Sequence, residues 1–109
     1  MVDLTFLESF TKGNQEKMHR YIGMYLQIAP ETFGKMQQYF LDQNWEQLRI
    51  QAHSLKPQAE FMGISGLKEI LIEIEDTINA GIIDPLEDLL GQAQALHDKA
   101  MPLLKESLE

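Results

Sequence analysis

The sequence predicts an all-α protein: an up-and-down antiparallel four-helix bundle with a short extra helix at its N-terminal end. Three observations carry this reading. Apolar residues recur at three- and four-residue intervals along nearly the whole chain, no segment keeps the two-residue alternation of a strand, and the breaks between periodic segments are short. Long amphipathic helices joined by short connections stack as antiparallel neighbours. A chain of 109 residues suits one domain, residues 1–109, with a single core that needs no covalent staples. Leu108 and Glu109 at its end have the character of an appended tail.

Leu4, Leu7 and Phe10 predict a short first helix, closed by the break around Gly13. Asn14 has the side chain to cap a longer helix, in which Met18, Tyr21, Ile22, Tyr25 and Ala29 form an apolar stripe. Pro30 interrupts the pattern, which resumes with Phe33, Met36 and Phe40, so residues 14–42 are either one kinked helix or two stacked pieces. Asp42, Gln43 and Asn44 form a turn, and Asn44 followed by Gln47 has capping-box spacing for a third helix ending near Gly63. Ser65 is the expected cap of the next, where Leu67, Ile70, Leu71, Ile74 and Ile78 share a face and Gly81 closes the end. Asp84, Pro85 and Glu87 signal a last start, ahead of a stripe of Leu86, Leu89, Leu90, Ala93, Leu96, Ala100 and Leu104; Pro102 is expected to bend or end that helix.

Composition narrows the classes of function. There is no cysteine, which removes disulfides, thiol nucleophiles and thiolate metal sites. No run approaches the roughly 20 apolar residues of a membrane span, and the first residues lack the basic and apolar regions of a secretion signal, so a cytoplasmic location is the default expectation. A net charge of −8 repels nucleic acid and anionic lipid, and neither is expected as a partner. No glycine-rich phosphate loop of the Walker or kinase type is present, so neither ATP binding nor kinase chemistry is expected.

The informative residue is His53. In the segment from Asn44 to Gly63, Trp45, Leu48, Ala52, Leu55, Ala59 and Met62 share one stripe of the helical wheel, whereas His53 lies about 140° from Leu48. Its imidazole is therefore expected in solvent. Arg49 and Lys56, two of only nine lysines and arginines in the chain, flank it and suggest a small positive island.

The string Ala52, His53, Ser54, Leu55, Lys56, with Gly63 ten positions after the histidine, resembles the phosphoacceptor helix of the histidine phosphotransfer (HPt) family of bacterial two-component phosphorelays. That family's pattern reads roughly AHxLKG, followed by an apolar stretch and a glycine. Pro57 stands where the family usually has its glycine, a local departure that withdraws an amide donor from the carbonyl of His53.

The resemblance implies a four-helix bundle in which His53 accepts a phosphoryl group from the aspartyl phosphate of a receiver domain and passes it to another receiver. Lys56, one turn along, would meet the phosphoryl oxygens. Arg49, Ile50, Pro57, Glu60 and Phe61 are the expected docking residues around it, with Ile64 as a further candidate and Phe61 better suited to packing on a neighbouring helix. The implied partners are response-regulator receivers, with a hybrid sensor kinase as a further one. The chain would act as a monomer without a cofactor of its own, the magnesium ion belonging to the receiver.

Two other readings compete. A carboxylate-bridged metal bundle needs two Glu-x-x-His pairs; Glu16 and His19 supply one, but Gln94 precedes His97, which is expected at the solvent or bundle edge, so no metal site is expected. A helical adaptor that binds a receiver or dimerises without taking phosphate is the other.

Overall fold

Five helices account for the chain in the computed structural model, which describes residues 1–109: α1 (Thr5–Phe10), α2 (Gln15–Leu41), α3 (Trp45–Met62), α4 (Leu67–Asn79) and α5 (Leu86–Glu106). Asn14 and Asn44 act as the expected caps, their side chains accepting hydrogen bonds from the amides of Lys17 at 3.0 Å and Gln47 at 3.3 Å. The prolines do less than the sequence suggests. α2 runs unbroken through Pro30, α3 through Pro57 and α5 through Pro102, which therefore does not end its helix. All three are exposed, so water can serve the carbonyl that each leaves without a donor.

Two helix starts differ from expectation. α4 is preceded by Gly66 at φ +82°, whose carbonyl accepts from the Ile70 amide, so Ser65 lies one residue too early to cap; its own amide donates 2.8 Å to the Met1 carbonyl and ties it to the N-terminal segment. α5 begins one residue later than Asp84 would place it: the Pro85 carbonyl accepts the first helical bond, from Leu89 at 3.0 Å.

Glycines close α3 and α4 as predicted. Gly63 (φ +59°) and Gly81 (φ +74°) adopt the left-handed conformation, and paired bonds return to the last turn: Gly63 to Glu60 and Ile64 to Ala59, Gly81 to Ile78 and Ile82 to Thr77. At Gly63 a second constraint applies. Residues 1–3 lie across it, with Val2 bridged to Ile64 and the Asp3 amide donating 2.9 Å to the Gly63 carbonyl, so that a Cβ there would lie 1.7 Å from the Asp3 carbonyl oxygen.

Neighbouring helices pack in a closed ring: α2 on α3, α3 on α4, α4 on α5 and α5 on α2, with α1 laid on α3. Inside is one core cluster of 21 buried apolar residues, including Tyr25, Phe33, Leu48, Leu55, Leu71, Ile74 and Leu90. The stripe predicted for α3 is buried as drawn except Trp45, which is half-buried and set edge-on to Phe40 at 5.9 Å. No helix is long and apolar enough to cross a membrane.

His97 departs most from expectation. It is 3% exposed, its Nδ1 is 2.9 Å from the Tyr25 hydroxyl, and its ring stacks on Phe33 with centroids 4.4 Å apart. Far from the bundle edge, it joins α5 to α2 inside the core. Burial lowers its pKa, against a smaller opposing effect of Asp98, and raises that of Tyr25.

Candidate functional site

Leu48, Ala52, Leu55 and Ala59 hold α3 in the core, and their burial turns the opposite side of the same helix outward. His53 sits on that side with its side chain 66% exposed. One ring nitrogen is anchored: Nδ1 lies 3.0 Å from Oε2 of Glu75, which projects from α4. A carboxylate accepts, so Nδ1 is the nitrogen that carries hydrogen when His53 is neutral. Nε2 has no hydrogen-bond partner in the protein and keeps its lone pair free.

Lys56 completes the arrangement. Its Nζ lies 2.6 Å from Oε1 of Glu75, so one carboxylate is shared by the imidazole and the ammonium. This differs from a freely solvated lysine, since the Lys56 side chain is only 25% exposed and that of Glu75 only 11%. Burial by itself raises the Glu75 pKa, and the hydrogen bonds and charges of Lys56 and His53 outweigh it, leaving the carboxyl below its ordinary value.

The positive island expected from Arg49 and Lys56 is likewise neutralised. Arg49 pairs with Glu46 one turn earlier, and that hydrogen bond raises its pKa, whereas Lys56 is held by Glu75. Glu60 pairs with Lys68 at 3.3 Å.

The remaining expected residues divide by side. Ile50, 40% exposed, and Pro57, also exposed, lie on the same outer side of α3 as His53. Phe61 is half-buried, its ring 4.8 Å from Phe10, 5.4 Å from Tyr21 and 5.5 Å from Phe6. Packing on neighbouring helices is thus what its ring does in this structure, while Phe6 and Phe10 stay 47% and 53% exposed beside it. Ile64 is only 6% exposed, enclosed by its bridge to Val2, and drops out as a docking candidate.

Sequence reasoning missed Glu75. It stands four residues after Leu71 and one after Ile74, about 40° from the edge of the apolar stripe of α4, and a carboxylate in that place was the available signal.

The ring of helices thus presents an exposed histidine, held by a largely buried carboxylate of α4 and accompanied by a lysine. A family model described as the Hpt domain matches residues 20–108, and the chain belongs to that family, whose members serve as phosphocarriers in phosphorelays and are not kinases. No curated protein and no solved structure matches it. Residues 1–19, with the N-terminal segment and α1, lie outside the matched range.

Proposed function

We propose that this chain is a phosphorelay carrier in which Nε2 of His53 takes a phosphoryl group from the aspartyl phosphate of one receiver domain and delivers it to the aspartate of another. The observation that supports this most is the division of labour on the imidazole: Nδ1 is held by Glu75 and Nε2 faces outward. Attack by the Nε2 lone pair forms a nitrogen–phosphorus bond as the bond to the aspartyl oxygen breaks, and the aspartate leaves as carboxylate. The proton on Nδ1 stays in its hydrogen bond to Glu75. Such a transfer passes through a loose in-line transition state, for which alignment and charge neutralisation are the chief requirements. Lys56 is the cation for the phosphoryl oxygens on this side, and a magnesium ion on the receiver serves the other.

In this reading the short connections between α2, α3, α4 and α5 make the ring of helices an up-and-down antiparallel bundle. The receiver docks on the surface around His53, with Ile50, Pro57 and the rim of Phe61 as its apolar part and Arg49 and Glu60 as polar contacts. The carrier works as a monomer in a small, transient complex.

Incubation with a phosphorylated receiver tests the proposal. The protein gains acid-labile, base-stable phosphate, and His53→Gln gains none. A protein that binds the receiver and takes up no phosphate is an adaptor, which refutes the carrier reading.

A further inference from the structure

Every lysine and arginine of α3 and α4 is already paired. Arg49 is paired with Glu46, Lys68 with Glu60, and Lys56 with Glu75. The last pairing matters most, because Oε1 of Glu75 is enclosed by protein and has no neighbour able to compensate it other than the Lys56 ammonium, 2.6 Å away. In the resting protein the charges of Lys56 and Glu75 cancel. A phosphoryl group on Nε2 adds net negative charge beside them and offers the ammonium a second set of oxygens.

We propose that Glu75 and the phosphoryl group compete for Lys56, so that Glu75 keeps phosphorylated His53 poised to give its phosphate away. This rests on His53 being the acceptor. If Lys56 turns toward the phosphoryl oxygens, Oε1 of Glu75 is left enclosed without a partner, which is unfavourable for a charged group. If Lys56 stays with Glu75, the phosphoryl charge is not neutralised and a second negative group lies close by. Both arrangements raise the phosphorylated form relative to the free one. A carrier gains from this: a phosphoryl group bound too well would stop at His53. Glu75 thus has two roles, fixing the tautomer through Oε2 and setting the transfer potential through Oε1.

Phosphoramidate provides a partner-independent test. Its phosphorus–nitrogen bond breaks, the bond to Nε2 forms, and ammonia leaves. At fixed phosphoramidate and ammonium concentrations, the ratio of phosphorylated to free His53 is read by 31P NMR in the intact protein and in Glu75→Gln, which retains a carbonyl for Nδ1–H but no charge. The ratio rises about fivefold in Glu75→Gln. In a Lys56→Ala background the same substitution gives a smaller rise, because no cation is left to hand over.

An unchanged ratio in Glu75→Gln, with the wild type phosphorylated normally, overturns the proposal and leaves the carrier reading standing. So does an equal rise in both backgrounds, which would show charge repulsion without competition. A wild type that takes no phosphate on His53 removes both. If Glu75→Gln does not fold, Glu75→Asp draws the carboxylate a methylene away from Lys56, and the ratio rises by a lesser amount; no rise there overturns the proposal.

Discussion

At the scale of single residues, three polar side chains meet at the candidate site and a second histidine lies in the core. His53, Glu75 and Lys56 form a short chain of contacts, 3.0 Å and 2.6 Å, in which the carboxylate is the hub. His97 is the contrast: the same side chain, buried against Phe33 and Tyr25, is held neutral. Its lowered native pKa makes stability pH-dependent. Unfolded, His97 has its ordinary value of 6.5, so as pH falls below that the unfolded state takes a proton that the folded state resists, and stability is lost until the native value is reached. At neutral pH and above this loss is absent. Urea unfolding at pH 7.5 and 5.5 measures it, with wild type losing more stability between the two than His97→Phe. An equal loss in both proteins would show that His97 does not titrate in this way.

At the scale of elements, the end of α3 is where chain geometry is least forgiving. Gly63 combines a left-handed backbone with close approach of the Asp3 backbone, and the N-terminal segment is held there by the amides of Asp3 and Ser65. Gly63→Ala is expected to cost more than the ~1 kcal/mol of a left-handed alanine alone, since residues 1–3 must also move aside. Urea denaturation gives the cost, and hydrogen exchange at Asp3 and Ser65 shows whether the segment has detached. Unaltered exchange at both amides would mean that the close approach is tolerated.

The helices were largely legible because their signals are local. Asn14 and Asn44 cap, Gly63 and Gly81 terminate, and the α3 stripe from Leu48 to Met62 is buried as its period implies. The starts of α4 and α5 were less legible. Ser65 lies one residue too early to cap, and its amide is tied to the Met1 carbonyl, a contact between residues 64 positions apart in the chain that no local pattern announces.

At the scale of the whole molecule, the four long helices close a ring around one core, and α1 with residues 1–3 covers the lower end of α3. The exposed His53 followed from the wheel of α3 alone, whereas its carboxylate partner comes from α4 and depends on how two helices pack. His97 was within reach of the same reasoning: it lies seven residues after Leu90 and seven before Leu104, in the middle of the α5 stripe, and a buried position followed from that register. Half of the neutralised island was legible, since Glu46 stands three residues before Arg49; the other half was not, because neutralisation of Lys56 depends on Glu75 being placed across the helix interface.

The proposed phosphoryl transfer turns on one nitrogen atom. After phosphorylation by an aspartyl-phosphorylated receiver, phosphorus–nitrogen coupling in 15N-labelled protein identifies which ring nitrogen bears the group. Coupling to Nε2 of His53 is expected, with Nδ1 still bonded to hydrogen. Phosphate on Nδ1, on His19, or on no histidine would contradict the proposal.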